Sequence, residues 1–146
     1  MKKLWLAAVV VACIAIVLIG RNLPFFSVAP PAADAVDDSV FSDAIENHAS
    51  NVDVEGQGTV ATILPDDTTG KRHQRFIVRL KSGQTILIAH NIDLAERVSS
   101  LKEGDVVTFS GVYEWNPKGG VVHWTHRDPA GRHRAGWIKH QGEVYQ

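Results

Sequence analysis

Residues 101–115, LKEGDVVTFSGVYEW, decide the fold that this sequence predicts. The first part, KEGD at residues 102–105, joins charged residues to a glycine and predicts a tight turn. The remainder, residues 106–115, is rich in valine and aromatic residues and predicts a long strand. A turn that opens directly into such a strand is typical of all-β domains, in which short connections join successive strands.

The sequence before this stretch alternates between apolar and polar residues, which predicts further strands. These strands are predicted at residues 52–64, 75–80 and 85–90. Gly56 and Gly58 lie inside the first strand and predict a bend or a β-bulge there. Between the third strand and the quoted stretch, apolar residues fall at helical spacing, which predicts one helix at residues 91–101.

The sequence after the quoted stretch predicts a fifth strand at residues 121–127 and two short strands at residues 137–140 and 143–145. A short helix is predicted ahead of the first strand, from residue 39. Three strands, one helix and then two or more strands is the order of an OB-fold barrel, and residues 52–127 resemble such a domain. The resemblance implies an all-β, OB-fold-like barrel of five or more strands with one helix between strands 3 and 4. It implies no single function, because OB folds bind several classes of ligand.

Residues 121–146 contain four of the seven histidines and two of the four tryptophans. Within them, HWTHRDPAGRHRAGWIKHQGEVYQ resembles the C-terminal signature of a family of small bacterial envelope proteins of unknown function. The resemblance implies an envelope protein and brings no activity with it.

Aromatic residues interleaved with arginines in this part of the chain favour a binding face for an anionic polymer. The predicted ligand-binding residues are Trp115, Trp124, Arg127, Arg132 and Arg134. The tryptophans would stack on bases or sugar rings, and the guanidinium groups would contact phosphates. Single-stranded nucleic acid is the first candidate partner and an acidic glycan is the second. This hypothesis requires no cofactor.

The histidines support a second hypothesis, a metal-dependent hydrolase, in first place a nuclease. The candidate ligands are His123, His126, His133 and Asp128, for one divalent metal, zinc first. Their spacing matches no standard zinc motif. The alternative for the histidines is structural: they pair across strands and turns. A third interpretation of the domain as a whole is an adaptor for another envelope protein.

Composition places the chain among single-domain proteins, with 146 residues, of which 45% are hydrophobic, and a formal net charge of -1. The charge is unevenly distributed along the sequence. Residues 34–55 carry seven acidic residues and no Lys or Arg, whereas residues 71–81 carry five basic residues and no acidic one. This asymmetry favours an anionic partner for the later part of the chain, and the alternative is an ordinary solvated surface.

Cys13 is the single cysteine of the chain and lies in an apolar N-terminal run. The chain can therefore form no intrachain disulfide and offers no cysteine-based zinc site. Any bound metal would be held by histidines and carboxylates.

That apolar run, residues 4–19, follows Lys2 and Lys3 and predicts a membrane anchor with a cytoplasmic N-terminus. A cleaved signal peptide and a lipoprotein signal at Cys13 are the alternatives. All three place the folded part outside the cytoplasmic membrane, in the periplasm. The predicted organisation is a transmembrane helix at residues 1–21, a linker at residues 22–38 and the OB-like domain at residues 39–146.

Overall fold

The computed structural model describes residues 38–146, which form a mostly β domain with one short helix, α1 (Ser39–Glu46). The strands are β1 (Val52–Asp67), β2 (His73–Leu80), β3 (Thr85–Asn91), β4 (Val106–Glu114), β5 (Val121–His123), β6 (Trp137–His140) and β7 (Glu143–Tyr145). The predicted anchor at residues 4–19 lies outside the described residues. No helix within residues 38–146 is long and apolar enough to cross a membrane.

All seven strands belong to one sheet, in the order β1-β2-β3-β5-β4-β6-β7, with an additional pairing between β1 and β4. Most neighbours are antiparallel, but β3 and β5 run parallel. Because β1 pairs with β2 and also with β4, the pairings of β1, β2, β3, β5 and β4 form a closed cycle. The hairpin of β6 and β7 extends from β4 outside this cycle.

The long strand β1 pairs with β4 through residues 52–59 and with β2 through residues 58–67, and its backbone is irregular in the second part. Its register with β2 shifts between Val60 and Thr62, and again between Leu64 and Asp67. The predicted bulge therefore exists, but it lies after the glycines rather than at them. Gly56 has a packing role instead, because a Cβ atom there would come within 2.6 Å of the Phe41 ring.

The helix predicted at residues 91–101 does not form, and turns and irregular backbone connect β3 to β4. Side chains of β2 and β3 form hydrogen bonds with backbone N–H and carbonyl groups that would otherwise pair within a helix. The side chain of Gln74 accepts from the Val98 N–H at 2.9 Å and donates to the Val98 carbonyl at 3.1 Å. A ring nitrogen of His90 lies 3.0 Å from the Glu96 carbonyl. These long-range hydrogen bonds override the local helical pattern.

The core lies inside the cycle of strands, where alternate residues of each strand are buried. Helix α1 closes one side of it, and the Phe41 ring packs edge-on against Phe109 at 5.8 Å and Tyr113 at 6.1 Å between centroids. On β2 and β3 the other residues of the alternation are half-buried, except Arg79, which is exposed. They form an outward side of the sheet that is only partly covered.

Candidate functional site

A groove of about 350 Å³ runs along this outward side of the sheet. It is lined by Leu64 of β1, Arg75 and Ile77 of β2, Thr85 and Leu87 of β3, and Asn116, Lys118 and Gly120 of the loop between β4 and β5. The lining combines an aliphatic floor with two cationic side chains. A shallow apolar site with a few polar groups is the usual form of a ligand site.

Strand register explains why these residues meet although they are distant in sequence. Leu64 pairs with Arg75 across β1 and β2, and Ile77 pairs with Leu87 across β2 and β3. Residues directly opposite each other in neighbouring strands project to the same side of a sheet. The floor of the groove is therefore continuous across three strands.

The loop between β4 and β5 forms one wall of the groove and is firmly held. The side-chain oxygen of Asn116 accepts from the backbone N–H groups of Lys118 at 2.9 Å and Gly120 at 3.2 Å. Gly120 has φ +92°, and a Cβ atom there would lie 2.2 Å from the Tyr113 ring. Only glycine satisfies both the left-handed backbone and this close approach.

The two cations of the groove differ in their bonding. The Arg75 Nε donates to the Pro65 carbonyl at 3.0 Å, and this bond holds the guanidinium against β1. Lys118 is exposed and has no ion pair with another described residue. A cation without a protein counter-charge is available to an anionic ligand.

None of the five predicted ligand-binding residues lines this groove. Trp115 stacks on His48 with ring centroids 4.0 Å apart, and its backbone N–H donates to Ser50 Oγ at 3.0 Å. It thus lies beyond the end of β4, whereas Trp124 follows the end of β5. Because β4 and β5 are antiparallel, the two tryptophans lie at opposite ends of β5 and do not form one stacking platform.

The predicted fifth strand is shorter than expected and ends at His123, because Trp124 adopts a left-handed backbone with φ 54°. This conformation is rare for an aromatic residue. It turns the chain into a long segment, residues 124–136, that returns to β4. The Gly136 N–H donates to the His126 carbonyl at 3.0 Å and closes the segment.

Three histidines surround the Trp124 ring. His133 stacks on it with centroids 4.1 Å apart, and the His126 and His123 rings follow at 5.4 Å and 6.3 Å. All three imidazole centroids therefore lie within 6.3 Å of the indole centroid.

The four candidate metal ligands do not converge on one point. Residues 38–146 contain no group of three or more His, Cys, Asp or Glu placed to hold a metal ion. The Asp128 carboxylate accepts from the backbone N–H groups of Ala130, Arg132 and His133. These hydrogen bonds lower the pKa of Asp128, and the bond from Ala130 has the largest effect. The carboxylate therefore has a structural role in the segment.

A comparison with known protein families matches residues 23–146 to a protein family described as a protein of unknown function, DUF3465. The chain belongs to the DUF3465 family. The expectation that it is a member of a family of unknown function is thereby confirmed, and the family assigns no activity to this DUF3465 chain. A search among curated proteins found no match.

The predicted arginines of this DUF3465 chain form an exposed basic surface on the segment 124–136. Arg132 and Arg134 are 70% and 64% exposed in their side chains. Arg132 Nε lies 3.7 Å from the Asp128 carboxylate, which is itself only 2% exposed, and Arg134 lies 3.9 Å from the exposed carboxylate of Glu55. The exposed Arg134–Glu55 pair holds its charges only weakly. Arg127 is also exposed.

From the sequence, His90 could join a binding face or simply pair in the sheet; in the structure it is fully buried and joins three parts of the domain. One ring nitrogen lies 2.8 Å from Thr125 Oγ1 and the other 3.0 Å from the Glu96 carbonyl. Burial lowers the pKa of His90 and so favours the neutral ring. It links β3 to residues 124–136 and to the connection before β4. A single histidine at the end of a strand pattern carries no signal of this role.

Proposed function

We propose that this domain binds an anionic polymer, in first place single-stranded nucleic acid, along the groove on the outward side of β1, β2 and β3. The observation that carries the proposal is the groove itself, with Arg75 and Lys118 beside an aliphatic floor. The proposed role is binding rather than catalysis. An acidic glycan is the competing ligand in the test below.

The strand pairings support an OB-fold-like barrel as the architecture behind this function. The closed cycle β1-β2-β3-β5-β4 is the connectivity of such a barrel. In OB folds, ligands lie on the side of strands 2 and 3 and contact the loop between strands 4 and 5. The groove has this location, since its lining comes from β2, β3 and the loop of residues 115–120.

The lining chemistry favours recognition of the polymer backbone. None of the residues that line the groove is aromatic, so stacking on bases cannot be its main interaction. The two cations would contact phosphates, and Leu64, Ile77 and Leu87 would pack against sugars. The exposed arginines of the segment 124–136 would extend the contact for a longer strand. We therefore expect weak sequence preference and an affinity that falls as the salt concentration rises.

The test is the binding of a fluorescent oligothymidylate to the purified protein, followed by anisotropy at increasing salt concentration. Two phosphate contacts predict a slope of about -1.4 for the logarithm of affinity against the logarithm of salt concentration. Polyuronate serves as the competing acidic glycan. If polyuronate binds at low salt and oligothymidylate does not, the ligand is an acidic glycan rather than nucleic acid. If neither binds, the proposal is refuted.

We further propose that residues 4–19 anchor the domain on the periplasmic side of the cytoplasmic membrane. The support is the apolar run after Lys2 and Lys3. We expect the full-length chain to stay in the membrane pellet after an alkaline carbonate wash, and added protease to digest its domain in spheroplasts. Recovery in the soluble fraction, or protection of the domain from protease, would contradict this placement.

A further inference from the structure

We infer that the segment 124–136 docks onto a bilayer of anionic phospholipid through an uncharged tip, residues 129–131, and the exposed side chains of Arg127, Arg132 and Arg134. We call these three residues the arginine surface. The inference goes beyond the proposed function, because none of these residues lines the groove. A strand bound in the groove needs none of them, so each proposal can fail without the other.

The tip of the segment carries no charged side chain and faces solvent. Its residues are Pro129, Ala130 and Gly131, and all three are exposed. The N–H of Gly131 donates to the Asp128 carbonyl at 3.0 Å and closes the turn. Because the tip has no charge to remove from water, it can enter a layer of lipid headgroups at little cost.

The single carboxylate of the segment is withdrawn from this exposed side. The Asp128 side chain is almost completely buried. Its oxygens accept from the backbone N–H groups of Ala130, Arg132 and His133 at 2.9, 2.6 and 3.2 Å. Hydrogen bonds to an ionised carboxylate are strong, so these donors satisfy the negative charge inside the segment. The charges that face solvent on the segment are therefore those of the arginines.

The arginine surface is available to an anionic partner. Arg127 is exposed and has no ion pair with another described residue. Arg134 faces Glu55 of β1 at 3.9 Å, and Arg132 Nε lies 3.7 Å from the Asp128 carboxylate, both beyond hydrogen-bond distance. Guanidinium groups pair with phosphate oxygens through two parallel hydrogen bonds. The phosphates of lipid headgroups complement this surface in charge and in hydrogen bonding.

Contacts at the base of the segment hold the tip and the arginines in a fixed arrangement. The Trp124 ring stacks on His133 with centroids 4.1 Å apart. Thr125 Oγ1 lies 2.8 Å from a ring nitrogen of the buried His90. A pre-organised surface loses little conformational entropy when it binds. A fixed loop of this kind suits the flat surface of a bilayer.

The uncharged tip favours a bilayer over nucleic acid as the partner of this segment. Single-stranded nucleic acid is held by phosphate contacts and by stacking on aromatic rings. Trp124 is the one Trp, Phe or Tyr of the segment, and His133 already covers one face of it. Small apolar residues between cations instead match the boundary between headgroups and acyl chains. The anchor proposed at residues 4–19 would keep the domain beside a membrane, so a weak contact is sufficient.

The test measures how close the tip lies to lipid when the full chain is reconstituted with vesicles. An Ala130→Cys variant, with Cys13→Ala to leave one thiol, carries a fluorophore, and a lipid with a spin-labelled headgroup quenches it on contact. We expect strong quenching in an equal mixture of phosphatidylglycerol and phosphatidylcholine, reversed by salt, and little quenching in phosphatidylcholine alone. A label on Ser82→Cys is the position control and should stay unquenched. Ser82 lies in the turn before β3, whereas the segment follows β5, which runs parallel to β3.

Substitutions then test the arginine surface itself. The double variant Arg132→Gln and Arg134→Gln should lower the ratio of docked to free tip about 25-fold, since each arginine beside an anionic bilayer contributes about fivefold. Glu55→Gln removes the carboxylate beside Arg134 and should raise this ratio, a gain that unfolding cannot imitate. The matched control is Arg79→Gln with Lys81→Gln, which makes the same change in net charge at the end of β2 next to Ser82. This control should dock as the wild type does.

The outcomes separate docking on lipid from attraction by overall charge. Quenching that is absent in both lipids, equal in both, or unchanged in the double arginine variant overturns the inference. An equal loss in the control variant overturns it too, because overall charge then holds the protein at the bilayer. Each of these results leaves the proposed function standing, since oligothymidylate binding is measured separately. Loss in the arginine variant, gain in Glu55→Gln and no change in the control support the inference.

Discussion

Replacing Gly136 with alanine is expected to destabilise the protein by about 3 kcal/mol, the largest effect on stability that we expect from a single methyl group. A Cβ atom at this position would lie 2.0 Å from the Trp124 carbonyl oxygen and 2.7 Å from the Ser110 carbonyl oxygen. Both neighbours are backbone atoms, so no side-chain rotation relieves the contact. The segment 124–136 would have to move away from β4, and the His90–Thr125 hydrogen bond would be strained with it.

The measurement is urea and thermal unfolding of the variant, with a melting temperature about 10 °C below wild type for a domain of this size. The matched control is Gly131→Ala in the same segment, where a Cβ atom meets nothing within 4 Å. Gly131 has φ +63°, so its replacement carries only the left-handed backbone cost of about 1 kcal/mol. Equal losses for the two variants would mean that the segment is not packed against β4.

Reversing the charge of Lys118 is expected to weaken oligothymidylate binding at least about tenfold, one of the two largest effects on binding that we expect from a single residue. Lys118→Glu places a carboxylate beside the proposed path of the phosphates and removes a cation that has no ion pair among the described residues. Arg75→Glu should have an effect at least as large. Because the Arg75 side chain also donates to Pro65, its unfolding must be measured alongside.

Lys139→Glu is the matched control for these variants. Lys139 is exposed on β6 and its ammonium lies 5.5 Å from the centre of the Trp137 ring, on the hairpin outside the cycle of strands. It makes the same change in net charge at a distance from the groove. If Lys139→Glu weakens binding as much as Lys118→Glu does, the protein attracts the polymer through its overall charge and the groove has no special part.

The strands could be predicted from the sequence because their pattern is local. Alternation of apolar and polar residues located β2, β3 and β4 closely, and the turn at residues 102–105 was recognisable from its glycine and charges. The helix prediction at residues 91–101 was wrong for the opposite reason. Its conformation depends on Gln74 and His90, whose hydrogen bonds to it arise only when the sheet has formed.

The groove could not be predicted because its residues look ordinary in the sequence. Leu64, Ile77 and Leu87 are typical strand residues, and only the register of three strands brings them together with Lys118. The sequence predicts a site at the histidine-rich end of the chain because many reactive side chains lie close together there. In the fold, the Trp124 ring lies among three of those histidines, and the carboxylate of Asp128 is bonded to the backbone.

The most direct test of the central claim is an amide NMR titration of the protein with oligothymidylate, because it locates the ligand without any substitution. We expect the largest shifts at Arg75, Leu87 and Lys118, with smaller shifts on the arginine surface of the segment 124–136. Shifts confined to residues 124–136 or to the surroundings of Trp115, with the groove residues unchanged, would contradict the account.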